Sequence, residues 1–228
     1  MKGDVLDQIQ GGIIVSCQAL PEDSTYGPEM MAIFARSAER GGAVGIRANS
    51  AEDVAAIRAV TDLPIIGIWK RSCPDEIGYI ITPTLEDARL LKDAGASLIA
   101  ADVADRPRPG DLSAVELIKG IHSELQLPIM ADCFTLEDAL HAQNHGADVC
   151  ATTLALPESL GEYEPNLALL QAMVERLEVP VIAEGRFWDP TQVQEAFALG
   201  AHAVVIGSAV TRPWMITERF VKQGIPRR

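Results

Sequence analysis

The chain has 228 residues, 48% of them apolar and 22% charged, so it can bury a sizeable core; the length suits one (β/α)8 barrel or two small domains. A formal net charge of -13 opposes nucleic acid and anionic membranes as partners, because both are polyanions, and an anionic ligand would need a local basic or amide-rich site. No apolar run reaches membrane-spanning length, and Met1 to Gln10 is polar and acidic, which predicts a cytoplasmic protein without a signal peptide.

The apolar run at 13–17 predicts a first strand, and from there two punctuation patterns alternate along the chain. Gly42-Ala43, Gly95-Ala96, Gly146-Ala147 and Gly200-Ala201 each end a helix-like segment with the glycine that a C′ position favours, and an apolar run follows. Between them, Leu63-Pro64-Ile65-Ile66, Leu127-Pro128-Ile129-Met130 and Val179-Pro180-Val181-Ile182 place proline at a strand's first position. Together these predict eight strands at 13–17, 43–47, 64–70, 97–102, 128–132, 148–152, 180–184 and 203–207. The intervening helices carry capping signatures at Ser50-Ala51-Glu52-Asp53, Thr84-Leu85-Glu86-Asp87 and Thr135-Leu136-Glu137-Asp138, and Asp189-Pro190 opens another with a cap and an N1 proline. Repeated strand, loop and capped-helix units imply a parallel sheet with right-handed crossovers. An open doubly wound sheet is the alternative, but eight near-equal repeats favour closure into a single (β/α)8 TIM-barrel domain over residues 1–228. The tail from Gln223 to Arg228 reads as a frayed end.

Several residues attract attention without carrying a site. Cys17, Cys73, Cys133 and Cys150 are scattered, with no C-x-x-C pair, and read as reduced thiols rather than disulfides or zinc ligands. Cys17 and Cys133 fall at strand ends, where paired thiols can serve a racemase, but small buried packing residues fit the positions as well. His141 and His145 have i, i+4 spacing, yet they precede Gly146 at the bottom of the barrel and have no third ligand nearby, so no metal is expected. Trp69 has the parity of a residue packed under the helices, whereas Trp188 and Trp214 fall in βα loops, where they could cover the mouth.

Barrel chemistry sits where strands end, and the ends here are polar: Gln18, Arg47, Lys70, Asp102, Asp132, Thr152 with Thr153, Glu184, and Gly207 with Ser208. Strand side chains alternate between faces. Counted from the strand-opening prolines, Lys70, Asp132 and Glu184 all lie at even offsets and should point into the mouth. The third and seventh strands of an eight-strand ring are opposed, so Lys70 and Glu184 would approach a central ligand from opposite sides. Lys70 must be neutral to act as a base, and burial with the nearby Arg47 and Arg71 would lower its pKa. A structural ion pair with Glu184 or Asp132 is the competing role. For a phosphate, the loops after the seventh and eighth strands, Glu184-Gly185-Arg186 and Gly207-Ser208-Ala209, offer backbone amides, and Arg212 adds a charged fork; no G-x-G-x-x-G or Walker pattern is present.

Taken in order, Ser16-Cys17-Gln18-Ala19-Leu20-Pro21, Gly45-Ile46-Arg47-Ala48-Asn49, Gly67-Ile68-Trp69-Lys70-Arg71, Arg106-Pro107-Arg108-Pro109, Met130-Ala131-Asp132, Ile182-Ala183-Glu184-Gly185-Arg186 and Thr211-Arg212-Pro213 resemble the bacterial N-acetylmannosamine-6-phosphate 2-epimerase family, also called N-acylglucosamine-6-phosphate 2-epimerases. The resemblance spans essentially the whole chain. It implies a cofactor-independent isomerase that interconverts N-acetylmannosamine 6-phosphate and N-acetylglucosamine 6-phosphate in sialic acid breakdown. It also implies Lys70 and Glu184 as the catalytic pair, Gln18, Arg47 and Asp132 on the sugar, Arg212 with the Gly185 and Gly207-Ser208 loops at the phosphate, and a homodimer. Two departures stand out: Ala151-Thr152-Thr153-Leu154-Ala155-Leu156-Pro157 replaces the family's usual Gly-Thr-Thr-Leu-Ser-Gly-Tyr-Thr, and Ala104 replaces a frequent threonine. The loop from Thr153 to Glu164 is therefore where substrate preference is expected to differ. Two rival readings use the same residues: a Schiff-base aldolase forming an imine on Lys70, and a non-catalytic sugar-phosphate binding barrel.

Overall fold

The computed structural model describes residues 4–73, 78–155, 157 and 159–225. Residues 1–3 of the acidic start, Leu156 and Glu158 of the loop after the sixth predicted strand, and 226–228 of the tail lie outside the described residues. The strands are β1 Ile13–Cys17, β2 Gly45–Asn49, β3 Ile65–Ile68, β4 Lys70–Ser72, β5 Tyr79–Ile81, β6 Leu98–Asp102, β7 Ile129–Asp132, β8 Val149–Ala151, β9 Val181–Glu184 and β10 Ala203–Ile206. All but β4 and β5 form a closed parallel barrel in the order β1-β10-β9-β8-β7-β6-β3-β2, with helices outside it. This is the expected TIM barrel.

Alternation along each strand divides the apolar residues into two layers. Ile14, Ile66, Ile68, Leu98, Ala100, Met130, Val149, Ile182 and Val205 fill the barrel interior, while Val15, Ile46, Ala48, Ile99, Ala131, Cys150 and Val204 face the helices. Below the interior, the helix Val5–Ile9 closes the barrel floor: its apolar residues Val5, Leu6 and Ile9 join the interior cluster, and Ile9 is fully buried. The polar reading of Met1 to Gln10 misses this plug. Its apolar residues recur at i, i+1 and i+4, one helical face, within a segment that is otherwise acidic.

The punctuation behaves as its chemistry requires. Ser50, Thr84 and Thr135 each accept a bond from the backbone N–H three residues on, and Asp189 accepts from Thr191 N–H ahead of its proline. Gly146 closes its helix at a φ of 103°, in the half of conformational space where a Cβ is strained, and the turn recurs at Gly42, Gly95 and Gly200.

Three boundaries differ from the sequence reading. β2 runs to Asn49 rather than ending at 47, because the turn through Ala43 and Val44 is used to end the preceding helix and to pair with Ile13. The predicted strand 64–70 divides: β3 stops at Ile68, Trp69 N–H donates to Thr82 Oγ1 and Lys70 N–H to Asn49 Oδ1. From there the chain leaves the barrel as the antiparallel hairpin β4–β5, with Lys70 opposite Ile81 and Ser72 opposite Tyr79. Gln223 is not frayed; it lies in the last turn of the helix Pro213–Gly224.

These turns make a quantitative expectation. A methyl at Gly146 meets nothing closer than 3.8 Å, so Gly146→Ala should lower stability only by the backbone cost, about 1–2 kcal/mol. At Gly200 the added carbon falls 2.9 Å from Val174 Cγ1, so Gly200→Ala should lower the urea midpoint further. Equal midpoints for the two variants would contradict this account.

Candidate active site

The interior positions that continue past the apolar layer are polar, and they converge at the C-terminal end of the barrel. At their centre is Arg47 of β2, whose side chain is 1% exposed. Its Nη2 donates to Asp132 Oδ2 at 2.6 Å and its Nη1 to Asp132 Oδ1 at 3.2 Å, a two-pronged pairing with β7. Nη1 also donates to Glu184 Oε2 of β9 and to Thr153 Oγ1 just after β8. Thr153 Oγ1 in turn lies 2.5 Å from Asp132 Oδ1 and 3.3 Å from Glu184 Oε2. Burial opposes the charge on Arg47, but the carboxylates of Asp132 and Glu184 outweigh it and hold the guanidinium protonated above its ordinary range. Burial pushes the Glu184 carboxyl up, with Arg47 pulling the other way.

Above this cluster lies a cavity of about 320 Å³ lined by Gln18, Lys70, Tyr79, Thr153, Glu184, Gly185, Gly207, Ser208 and Arg212, with Trp188 and Met215 at its wall. Lys70 and Glu184 therefore face one space, Glu184 from the end of β9 and Lys70 not from the opposed strand β3 itself but from the first residue of β4, just past its end. Burial brings the Lys70 ammonium down to about 8, Arg47 and Arg212 lower it too, and Glu184 resists. Arg71, expected to share in this, instead turns away: its Nε donates to Asp87 Oδ1 at 2.8 Å and its guanidinium stacks 4.0 Å from the Trp69 ring. The Lys70 Nζ stands 4.8 Å from the centre of the Tyr79 ring.

The expected site residues divide into two tiers. Gln18, Lys70, Glu184, Gly185, Gly207, Ser208 and Arg212 line the cavity. Arg47 and Asp132 lie fully buried below it and reach it through Glu184 and Thr153. Gln18 donates from Nε2 to Ser16 Oγ at 2.7 Å, while its Oε1 is buried with no hydrogen-bond partner among the described residues. Gly207 and Ser208 open the short helix Ser208–Thr211, and a Cβ at Gly207 would come within 3.4 Å of Ser16 Cβ, so the backbone passes close beneath the cavity. Arg212 Nη2 lies 3.8 Å from Asp23 Oδ2.

Tyr79 was missed because the run Tyr79-Ile80-Ile81-Thr82 falls in what reads as a βα loop, although its β-branched residues between Gly78 and Pro83 are a strand signal. The Arg106-Pro107-Arg108-Pro109 motif supports it indirectly. Arg106 bridges Asp102 Oδ2 at 2.8 Å and the Tyr79 carbonyl at 2.9 Å, and Arg108 donates to the Asp102 and Ala104 carbonyls. Asp102, pushed up to about 6 by burial against the pull of these arginines, serves that knot rather than the cavity.

Other candidates fall away. Burial pushes the Cys17 thiol up to about 12, and the neighbouring Cys150 thiol, together with burial, raises Cys133 too, so neither is a ready thiolate. Trp214 donates to Asp23 and is 48% exposed, away from the cavity lining. The His141 and His145 rings pack 4.2 Å apart, and among the described residues no group of three or more His, Cys, Asp or Glu could hold a metal ion.

Residues 31–224 match the family model described as "Putative N-acetylmannosamine-6-phosphate epimerase". A relative from Clostridioides difficile that carries the corresponding 2-epimerase name is 43% identical over 220 residues, covering 96% of this chain and 98% of its own. Another of the same name, from Cutibacterium acnes, is 42% identical over 223 residues, covering 95% of each. The solved structure of the N-acetylmannosamine-6-phosphate 2-epimerase from Clostridium perfringens superimposes with a TM-score of 0.91 at 38% identity, over 97% of both chains. The chain belongs to the N-acetylmannosamine-6-phosphate epimerase family.

Proposed function

We propose that the protein interconverts N-acetylmannosamine 6-phosphate and N-acetylglucosamine 6-phosphate by removing and returning the proton on C2, with no cofactor. The observation that carries this reading is that Lys70, just beyond the end of β3, and Glu184, at the end of β9, line one cavity, with the amine pKa lowered and the carboxyl pKa raised. Such convergence lets one group take a proton and the other give one near neutral pH.

A C2 proton is acidic only beside a carbonyl, so the pyranose first opens to its aldehyde, with Glu184 assisting the proton movements of opening. Neutral Lys70 then takes the C2 proton and becomes an ammonium. The electron pair moves onto the aldehyde oxygen as an enolate, next to the positive potential of Lys70 and of Arg47 beneath it. Protonated Glu184 returns a proton to the opposite face, the aldehyde re-forms, and the configuration at C2 is inverted. The reverse reaction exchanges the two roles. Gly185, Gly207 and Ser208 offer backbone amides to the phosphate, with Arg212 as its counter-charge, and Gln18 Oε1 accepts from a sugar hydroxyl or amide. Arg47 and Asp132 fix the Glu184 carboxylate from below. A cytoplasmic homodimer acting in sialic acid breakdown completes the reading.

Lys70→Ala and Glu184→Ala should each reduce epimerisation by about 10²–10⁴-fold, followed by proton NMR in heavy water. Deuterium exchange at C2 without inversion in one variant would assign that residue's half-step; full activity in both eliminates the proposal. Borohydride added during turnover should leave no adduct on Lys70, whereas a trapped amine would revive the aldolase reading. Because the base must be unprotonated and the acid protonated, kcat/KM should be bell-shaped in pH with one bend near 8, and Lys70→Arg should remove that bend. A profile with no bend near pH 8 would exclude Lys70 as the base.

A further inference from the structure

A second cavity, of about 450 Å³, is lined by Tyr79, Phe134, Thr153, Leu154, Ala155, Pro157 and Asn166. Tyr79 and Thr153 belong to both linings, which sets the second cavity beside the side chains that touch Lys70 and Glu184. The phosphate loops and Arg212 line only the first cavity. In the epimerase reading, a sugar phosphate anchored there has C2 between Lys70 and Glu184, and its C2 nitrogen can turn toward Tyr79 and Thr153.

Apolar side chains, Phe134, Leu154, Ala155 and Pro157, supply most of the walls of the second cavity. Leu154 and Ala155 are 7% and 4% exposed, and Phe134 packs against the interior cluster. Asn166 turns its amide inward: Oδ1 accepts from Leu169 N–H at 3.1 Å and Nδ2 donates to the Ala155 carbonyl at 3.3 Å. Among the described residues no charged side chain lines it.

Resting on the epimerase reading above, we propose that this cavity receives the acyl group on the C2 nitrogen and favours acyl chains longer than acetyl, up to butanoyl. A lone methyl leaves most of the space to water. Each further methylene removes apolar wall from water, which corresponds to about a fourfold gain per methylene. The contact is the same before and during proton transfer, so it lowers KM and leaves kcat in place.

The test compares kcat/KM for the N-acetyl, N-propanoyl and N-butanoyl mannosamine 6-phosphates, with the N-hydroxyacetyl sugar as a polar match for propanoyl in size. The expected order is butanoyl above propanoyl above acetyl, by about fourfold per step, with hydroxyacetyl below propanoyl. In Leu154→Asn the butanoyl-to-acetyl ratio should fall at least about fourfold. That ratio does not depend on how much of the variant folds. A butanoyl sugar turned over less well than the acetyl one, hydroxyacetyl above propanoyl, or an unchanged ratio in Leu154→Asn would each overturn the assignment. Turnover of the acetyl sugar alone overturns only this inference, whereas turnover of none of the four overturns the epimerase reading itself.

Discussion

The guanidinium of Arg47 is the constraint around which the upper barrel is organised. Two carboxylates, Asp132 and Glu184, project from β7 and β9 toward each other, Asp132 fully buried and Glu184 largely so, and like charges so placed cannot both ionise without a cation between them. Arg47 reaches across from β2 to supply that cation, and its planar fork pairs with both oxygens of Asp132 while still reaching Glu184. A lysine could neutralise one of these groups, but it lacks the geometry to join both. The field of the guanidinium then extends upward, lowering the Lys70 ammonium while opposing the rise of the Glu184 carboxyl.

The barrel separates stability from chemistry along its axis. Below, Ile9 of the plugging helix and the isoleucine, leucine and valine layers make a dry core; above, Arg47, Asp132, Thr153 and Glu184 form a polar cluster bonded to one another. Lys70 is exceptional because it lies beyond the end of its barrel strand, and its position is fixed by a frame outside the barrel. Thr82, buried and at a φ of 45°, links Trp69 of that segment to the Ala100 carbonyl, and Arg106 ties Tyr79 to Asp102. A β-branched residue rarely adopts such a backbone angle, and here three hydrogen bonds through Thr82 hold it.

Much of this is legible in the residues alone, for local reasons. Caps, C′ glycines and strand-opening prolines act within a few residues, so they place the strands, and the alternation of side chains then orients Lys70, Asp132 and Glu184. What escapes such reading depends on contacts distant in sequence. The Val5–Ile9 plug has meaning only once a barrel floor exists to receive it. The β4–β5 hairpin, and with it Tyr79, depends on Thr82 reaching β6, and Arg71 finds Asp87 rather than Lys70 because the hairpin turns it outward. Likewise, strand ends alone do not tell which polar residues line the cavity and which lie beneath it; the depth of Arg47 follows from β2 continuing to Asn49.

Ring closure joins two strands that lie far apart in the sequence. β1 is flanked by β2 on one side and β10 on the other, and the Thr211 hydroxyl donates to the Ser16 carbonyl across 195 positions of sequence. On the ribosome, Arg47 emerges long before Glu184, and the edge of Ile13–Cys17 stays open until Ala203–Ile206 has been made. Loop closure over so long a span is entropically costly and is repaid only at the last step. Nascent molecules thus carry an unmatched sheet margin from the time β1 is made until β10 follows, which makes that interval the period of greatest exposure to mispairing between chains.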